Sequence, residues 1–217
     1  MKSGINAIIF DMNGVLQLGG NAKKAIRGHH TIGVHKNIAE KLKISVDQWF
    51  DAIDSTYARS IEGLISEEEM IKAMSENLKV SRRKFKRIVV SAHKKHFKKN
   101  KQLFKQAFAL KKQGYKIAIL SDQWPLSKKA LMPKKYTKRF DEVVISCDVK
   151  MRKPNPKIYR LILKKLKLPA KNCIFIDNQK WNLVPAKKMG MKTILFENNK
   201  QVAKEIVGHL ANFPKII

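Results

Sequence analysis

Five short apolar runs, each ended abruptly by polar residues, constrain the fold of this chain more than any other feature. The runs are rich in β-branched residues and lack alternation, which is typical of parallel strands buried on both faces. Segments with helical spacing separate the last four runs, so the pattern predicts an α/β chain with a doubly wound, Rossmann-like parallel sheet. The runs and the residues that follow them are Ala7–Phe10 with Asp11, Ile117–Leu120 with Ser121 and Asp122, Val143–Ile145 with Ser146, Cys147 and Asp148, Ile174–Ile176 with Asp177, and Thr193–Phe196 with Glu197.

The polar residues at the ends of these runs predict a site. Ligands of doubly wound sheets bind beyond the carboxyl ends of the strands. We therefore expect Asp11, Ser121, the turn from Asp148 to Lys153, and Asp177 to lie along one edge of the sheet. Solvated strand ends are polar in any protein, but the repetition of oxygen-bearing side chains at this edge favours a binding or catalytic site.

A long insertion separates the first predicted strand from the second. It has about a hundred residues, far more than one crossover helix needs. Capping boxes at Ser45 with Gln48 and at Ser66 with Glu69 open amphipathic runs, and a third run follows Ser81. Helices inserted directly after Asp11 would overhang the sheet edge. We predict a core domain of residues 1–16 and 100–217, and a helical cap of residues 17–99 that begins with a loop over residues 17–36.

The charge of the chain raises the question of a nucleic-acid partner. Lys and Arg number 46 against 17 Asp and Glu, which gives a net charge of +29. Only 8 of the 46 are arginines, whose forked side chains suit phosphate best, and lysine pairs occur along the whole chain. The composition favours a solvated basic surface, with nucleic acid as a secondary partner.

The remaining composition predicts the compartment. Hydrophobic residues make up 44% of the 217 residues, which excludes a disordered chain. No stretch approaches the roughly 18 apolar residues of a membrane helix, so we expect no membrane partner. Two cysteines, Cys147 and Cys173, suit a reducing compartment rather than a disulfide framework. The sequence predicts a cytoplasmic protein.

Four segments of the chain resemble the motifs of the haloacid dehalogenase-like hydrolases. Their order and spacing agree over essentially the whole chain, and the insertion lies where the helical-cap branch of that family carries its cap. The phosphatases of the family have two aspartates separated by one residue in the first motif. The matching segments are Phe10–Leu16, Leu120–Asp122, Arg152–Tyr159, and Ile176–Asn178 with Asn182, Ala186, Gly190 and Met191.

The resemblance implies a reaction and a cofactor. Asp11 would be the nucleophile that forms an aspartyl-phosphate, and Ser121, Asp122 and Lys153 would contact the substrate. The cofactor would be Mg²⁺, a hard cation that suits carboxylate and carbonyl oxygens. Its ligands would be Asp11, Asp177 and the backbone carbonyl of Asn13, with Asn178 in the outer shell.

Two residues depart from the family pattern. Asn13 stands where the phosphatases have the second aspartate, the general acid and base, and a carboxamide cannot exchange a proton at neutral pH. Losing such a group costs about 10²–10⁴-fold in rate. Asn178 stands where an acid is usual, which should weaken Mg²⁺ binding. Asp122 or a cap residue would then have to supply the missing proton, and deamidation of the Asn13-Gly14 pair would restore the acid.

We therefore expect a Mg²⁺-dependent phosphatase of reduced activity, acting on a small phosphorylated metabolite. The alternatives are a metal-free dehalogenase-type hydrolase, whose halide leaving group needs no proton, and a catalytically weak protein that binds phosphate or nucleic acid.

The remaining histidines, tryptophans and cysteines receive structural interpretations. We expect His29, His30 and His35 in a polar loop rather than a zinc site, His93 and His96 in solvent, Trp124 and Trp181 in packing beside the site, and Cys147 and Cys173 buried.

Overall fold

The computed structural model describes residues 4–19 and 32–210 and contains a five-stranded parallel sheet. In spatial order its strands are Glu142–Ile145, Lys116–Ser121, Ala7–Phe10, Cys173–Asp177 and Lys192–Leu195, so the first strand along the chain lies in the middle and the later ones extend the sheet on both sides. Each strand coincides with one of the predicted apolar runs, which confirms the predicted doubly wound fold. The strands are β1 (Ala7–Phe10), β4 (Lys116–Ser121), β5 (Glu142–Ile145), β6 (Cys173–Asp177) and β7 (Lys192–Leu195).

The sheet is buried on both faces. Ile8 and Phe10 of β1 belong to one hydrophobic cluster, while Ala7 and Ile9 belong to another. Successive side chains of a strand point to opposite faces. Each face of β1 therefore contributes to its own core, which explains why its sequence is apolar throughout.

Two pairs of helices cover these faces. Residues of α5 (Lys101–Lys112) and α11 (Asn199–His209) join the first cluster. Residues of α9 (Pro156–Leu166) and α10 (Lys180–Lys188) join the second. Asn155 caps α9 as predicted, because its side chain accepts a hydrogen bond from the Lys157 amide. Three short helices follow β4 and β5: α6 (Pro125–Leu131), α7 (Lys134–Thr137) and α8 (Ser146–Val149).

The insertion forms the three predicted helices, α2 (Val46–Ile61), α3 (Glu67–Asn77) and α4 (Arg82–His96). A further helix, α1 (Ile32–Leu42), precedes them and begins within the segment 17–36 that was predicted as a loop. Both capping boxes are present at Ser45 and Ser66, and Ser81 caps α4. Met70 and Met74 are fully buried among the apolar faces of these helices, so they belong to a core rather than to an exposed surface.

A small antiparallel ribbon joins the two ends of the insertion, and the sequence did not predict it. It pairs β2 (Gln17–Gly19) with β3 (Phe97–Lys99). Next to it, Asn100 binds the chain before β2, with its amide on the Leu16 carbonyl and its side chain on the Val15 carbonyl. The ribbon lies at the predicted cap boundaries; the division into two domains itself stays a prediction.

Two histidine predictions are wrong. His35 lies in α1 rather than in a loop, is buried, and accepts a 2.8 Å hydrogen bond from Trp49 through Nδ1. His93 is also buried, and its Nδ1 donates to the Val89 carbonyl at 2.9 Å. His93 follows Val89 by one helical turn and shares its inward face, while the neighbouring lysines occupy the outward one. The rest of the predicted loop, with His29 and His30, falls in residues 20–31, outside the described residues.

Other packing predictions are met in part. Trp124 is buried, whereas Trp181 is 54% exposed. Cys173 is buried as predicted, but Cys147 is only partly buried. In the described parts of the chain, no helix combines the length and apolar character required to cross a bilayer.

Candidate active site

A buried lysine joins two carboxylates at the carboxyl edge of the sheet. Lys153 Nζ lies 2.9 Å from Asp11 Oδ1 and 2.7 Å from Asp177 Oδ2. Asp11 directly follows β1 and Asp177 ends β6, and the two strands are hydrogen-bonded neighbours. Parallel pairing therefore places both carboxylates at one level of the sheet, as the sequence predicted.

Asp177 is held by groups from two elements. Its Oδ1 accepts a hydrogen bond from the Gln179 amide at 2.8 Å, and its Oδ2 accepts one from Asn182 Nδ2 at 3.0 Å. The backbone carbonyl of Asn182 in turn accepts a 2.7 Å hydrogen bond from the Tyr159 hydroxyl. These contacts fix the orientation of Asp177.

Burial gives the triad of Asp11, Lys153 and Asp177 unusual electrostatics. Burial opposes the charge on Lys153, but Asp11, Asp177 and Asp122 outweigh it and raise the pKa of Lys153, so the ammonium form persists. Burial also raises the pKa of Asp11 to about 7, with a further contribution from the Asp177 charge and in spite of Lys153. Two carboxylates and one ammonium leave the ionised triad one negative charge in excess, which a cation or a proton would compensate.

Ser121 and Gln123 form a polar pair beside this triad. Ser121 ends β4, the other neighbour of β1, and its Oγ accepts a 2.9 Å hydrogen bond from Gln123 Nε2. Gln123 is 1% exposed, and its backbone N–H donates a 3.0 Å hydrogen bond to Ser146 Oγ. Since Gln123 occupies a lone pair of the Ser121 oxygen, the Ser121 hydroxyl proton is left to donate elsewhere.

Asp122 supports the loop that carries Lys153. Its Oδ1 accepts a 3.1 Å hydrogen bond from the Lys153 amide. Burial raises the pKa of Asp122, although the nearby Lys153 charge acts in the opposite direction. The contact makes Asp122 a positioning group for Lys153.

Two asparagines near the triad have unpaired buried oxygens. Asn13 Oδ1, Asn178 Oδ1 and Asn178 Nδ2 are buried without a hydrogen-bond partner in residues 4–19 and 32–210. The Asn178 side chain lies against Gly14, whose φ of +87° and missing Cβ make room for it. Buried polar atoms without partners are uncommon in proteins, so these groups point to a ligand at this place.

The donor set fits a hard cation. Among residues 4–19 and 32–210, no cluster of three or more His, Cys, Asp or Glu side chains is arranged to hold a metal ion. A cation beside Asp11 and Asp177 would therefore need amide or backbone oxygens as well, and Asn13 and Asn178 offer them unpaired. Mg²⁺ commonly binds one or two carboxylates and completes its shell with other oxygens and water.

The inserted helices contact the loops that carry the site. Glu62, just beyond α2, forms a 3.0 Å ion pair with Arg152, the residue before Lys153. Tyr57 packs edge-on against Trp124, three residues after Ser121, with ring centroids 5.3 Å apart. Gly63 lies so close to the Cys147 carbonyl that any Cβ would overlap it. The insertion thus rests on the connections that follow β4 and β5.

A cleft of about 790 Å³ opens beside these contacts, between the α2–α3 connection and helices α6 and α8. Four lysines line it together with three acids, and one of the lysines, Lys128, pairs with Asp148 at 2.6 Å. The triad does not line this cleft. The lysines are Lys128, Lys129, Lys134 and Lys150, and the acids are Glu67, Glu69 and Asp148.

The predicted site residues thus occupy connected positions along one sheet edge. Asp11 and Asp177 both contact Lys153, Ser121 ends the neighbouring strand, and Asp122 follows it. Sequence reasoning missed Gln123, because a single glutamine after a strand carries no signal of its own. It also missed Glu62 and Tyr57, whose nearness to the site depends on how the insertion folds back.

Comparison with known proteins identifies a family. Residues 5–190 match the haloacid dehalogenase-like hydrolases. Bifunctional epoxide hydrolase 2 of Mus musculus is 28% identical over 218 residues, which cover 91% of this chain and 37% of that protein. The pig protein of the same name is 26% identical over 216 residues, or 93% of this chain and 38% of that one. The chain therefore spans little more than a third of the length of these curated relatives.

Solved structures share the fold. A predicted HAD-like family hydrolase from Porphyromonas gingivalis superposes with a TM-score of 0.68 at 22% identity, over 96% of this chain and 99% of that one. A HAD family enzyme from Bacteroides thetaiotaomicron, in complex with magnesium and inorganic phosphate, gives a TM-score of 0.67 at 19% identity, over 88% of this chain and 93% of that one.

Proposed function

Since the chain belongs to the haloacid dehalogenase-like hydrolases, we propose that it is a magnesium-dependent phosphatase that acts through an aspartyl-phosphate at Asp11. One observation carries the proposal: a single buried ammonium, Lys153 Nζ, contacts both carboxylates, at 2.9 Å from Asp11 and 2.7 Å from Asp177. Ser121 ends the next strand and offers a hydroxyl proton at the same edge. This set combines a nucleophile, two groups for phosphoryl oxygens and a second carboxylate for a cation.

Mg²⁺ is the cofactor that these residues fit. Asp11 and Asp177 would bind it, with the backbone carbonyl of Asn13 and the outer amide of Asn178, whose oxygen has no hydrogen-bond partner among the described residues. When bound, it supplies positive charge that neutralises the phosphoryl oxygens. A structure of the same fold from Bacteroides thetaiotaomicron binds magnesium and inorganic phosphate, which supports this assignment.

The chain's own residues then have defined roles. The ionised Asp11 carboxylate attacks phosphorus, and the bond between phosphorus and the leaving oxygen breaks. Lys153 and Ser121 hold the phosphoryl oxygens, and Asp122 and Gln123 keep these two groups in place. Water then attacks the aspartyl-phosphate, which releases inorganic phosphate and restores Asp11.

Asn13 limits the rate of this reaction. The leaving oxygen must gain a proton and the attacking water must lose one, and a carboxamide can do neither. Missing acid–base catalysis slows such steps by about 10²–10⁴-fold. The proposed phosphatase is therefore slow and favours substrates whose leaving group needs no protonation, such as aryl phosphates.

The substrate is proposed to be a small phosphorylated metabolite. The insertion rests on the loops that carry the site, through the contacts of Glu62 with Arg152 and Tyr57 with Trp124. A covered site excludes large polymers, and the lysines of the cleft beside these contacts would attract an anionic substrate. The compartment proposed for this chemistry is the cytoplasm.

A metal-free dehalogenase-type hydrolase is the second candidate. Asn13 favours this candidate, because it provides no acid and a halide leaves without gaining a proton. The charge of Lys153, which contacts both carboxylates, balances one of their two negative charges. Asp177 argues for the phosphatase, because a second carboxylate serves a cation and has no part in displacing a halide.

One experiment tests the proposal and separates the candidates. Turnover of an aryl phosphate is measured for the wild type, Asp11→Asn and Asn13→Asp, each with Mg²⁺ and with chelator. We expect slow wild-type turnover that chelator and Asp11→Asn abolish, and a gain of about 10²-fold or more in Asn13→Asp. Wild-type turnover that survives chelation would contradict the proposed dependence on Mg²⁺. Release of halide from a 2-haloacid would favour the dehalogenase. Inactivity of both wild type and Asn13→Asp, with inorganic phosphate still bound, would favour a binding protein.

A further inference from the structure

The longest part of the chain without an acidic residue contains helix α4. Between Glu76 and Asp122 lie 45 residues with 15 lysines and arginines and no aspartate or glutamate. Three of the eight arginines of the chain, Arg82, Arg83 and Arg87, fall in the first two turns of α4. Basic residues occur throughout this protein, but here no acid in the same segment balances them.

The packing of α4 fixes which of its side chains face solvent. Phe85, Ile88, Val89 and Ala92 are buried and define the inward side of the helix. The basic residues on the opposite side are exposed because the 3.6-residue period turns them away from that face. These exposed residues are Arg83, Lys84, Arg87, Lys94 and Lys95.

Helix α1 adds a sixth cation. Lys41 Nζ donates a 3.1 Å hydrogen bond to Ser91 Oγ. Ser91 lies one turn from both Arg87 and Lys95, so Lys41 is held beside them. We call this surface the α4 basic face; it consists of Lys41, Arg83, Lys84, Arg87, Lys94 and Lys95.

The described part of the protein does not neutralise the α4 basic face. Glu67 and Glu68 of α3 approach Lys86 at 3.3 Å and Arg82 at 4.0 Å, on one flank of α4. Within the described ranges, no carboxylate lies within 4.0 Å of any of its six cations. Six unpaired cations on one rigid surface repel one another, and an anionic partner relieves that repulsion.

We propose that the α4 basic face binds duplex nucleic acid through its phosphate backbone, independently of base sequence. From Arg83 to Lys94 the helix rises by about 16 Å. A duplex carries one phosphate charge per about 1.7 Å of axis, both strands counted, so a duplex segment of this length holds on the order of ten phosphates, and those on the side towards the helix are within reach of its cations. The arginines contribute forked donors that match phosphate geometry.

The chemistry of the face favours a duplex over other polyanions. A membrane-surface helix carries large apolar side chains on the face that it inserts. The exposed large hydrophobic residues of the described chain are Phe50, Leu64, Trp181 and Val184, and none of them belongs to α4. Proteins that bind single strands stack bases on exposed aromatic side chains. Helix α4 contains one phenylalanine, Phe85, and no tyrosine or tryptophan, and Phe85 is buried.

The test compares two triple variants with equal loss of charge. The first is Lys84→Gln, Arg87→Gln and Lys94→Gln on α4. The control is Lys157→Gln, Arg160→Gln and Lys164→Gln, three exposed residues of α9 with the same composition. Binding of a 20-base-pair DNA duplex is measured by fluorescence anisotropy over a range of salt concentrations, with chelator present so that the hydrolase site plays no part.

We expect wild-type affinity to fall with salt with a logarithmic slope of about −5, as for six phosphate contacts. The α4 variant should lose affinity at least tenfold and reduce that slope by about three. The α9 control should stay within about twofold of wild type. Equal losses in both variants would assign the binding to overall charge and overturn the proposal, as would an absence of duplex binding by the wild type.

A second measurement needs no variant. Acetylation of lysines in the wild type, with and without the duplex, is followed by mass spectrometry. Protection of Lys41, Lys84, Lys94 and Lys95, but not of Lys157 and Lys164, is the expected result. Uniform protection, or protection of the α4 lysines by vesicles containing phosphatidylserine and not by the duplex, contradicts the proposal. Neither experiment depends on phosphatase activity, so either proposal can fail without the other.

Discussion

Gly14 lies directly beneath the side chain of Asn178: a Cβ atom at Gly14 would lie 2.6 Å from Asn178 Nδ2. The two residues come from the turns after β1 and β6, which carry Asp11 and Asp177. The absence of one side chain thus lets the two turns approach each other at the proposed cation site.

This relationship predicts the effect of Gly14→Ala. An alanine at φ +87° is strained by about 1–2 kcal/mol, and overlap with Asn178 should cost about 1 kcal/mol more. Gly114→Ala is the matched control, because Gly114 has φ +92° and a Cβ there would have no atom of the described residues within 4 Å. Urea unfolding should show the larger loss for Gly14→Ala. Equal losses would mean that Asn178 moves aside freely.

Gln123 should affect catalysis only through Ser121. Gln123→Leu removes the 2.9 Å hydrogen bond that orients the Ser121 hydroxyl, and we expect kcat/KM for an aryl phosphate to fall about tenfold. In a Ser121→Ala background the same substitution should cost nothing further. If kcat/KM of the double variant is tenfold below that of Ser121→Ala alone, Gln123 acts by another route. Unfolding curves of the variants that match the wild type exclude a loss of fold.

The buried histidines predict a loss of stability in mild acid. Burial lowers the pKa of both His35 and His93 to about 4, against about 6.5 in the unfolded chain. The unfolded state therefore binds more protons below pH 6.5, and stability, complete above that pH, falls as the pH drops towards 4. Each histidine should lower the free energy of unfolding by about 2 kcal/mol at pH 5 relative to pH 7.

Urea unfolding of wild type and His93→Gln at the two pH values checks this sign and size. The variant should show a smaller difference between pH 7 and pH 5, because glutamine has no proton to gain. If the difference is as large in the variant as in the wild type, other groups are responsible for the acid sensitivity.

Asn13 should persist in the folded protein although an Asn-Gly pair deamidates readily in a flexible chain. The reaction needs the Gly14 nitrogen to attack the Asn13 side chain, but that nitrogen donates a 2.7 Å hydrogen bond to the Gln17 carbonyl. Breaking a bond worth about 1 kcal/mol slows the reaction roughly fivefold. Peptide mass spectrometry of samples kept folded and kept in urea should find the 1 Da gain mainly in urea. Equal gains would show that the turn opens freely.

The sequence predicted the sheet because the apolar runs are a direct consequence of burial on both faces. It predicted the helix starts because Ser45, Ser66 and Ser81 satisfy amides within their own turns. Both signals are local. The three-residue strands β2 and β3 have no such signal, since their pairing depends on how the insertion returns to the core.

The site was predictable as far as strand ends determine it. Asp11, Ser121 and Asp177 follow from the parallel register, and Lys153 follows from the motif that resembles the family. His93 was misjudged because its sequence neighbours are lysines, while its contacts are with Val89 and Phe97, one turn away on either side, and with Trp124. Gln123 and Glu62 matter through tertiary contacts that no spacing encodes.

The ribbon of β2 and β3 gives the insertion a mechanical link to the nucleophile. Gln17 pairs with Lys99 in the ribbon, and its own amide and carbonyl bind the Met12 carbonyl and the Gly14 amide at 2.7 Å each. Tilting α1–α4 about these two strands would therefore pull on the backbone on either side of Asn13. Gln17 thus connects the position of the helices to the shape of the turn that follows Asp11.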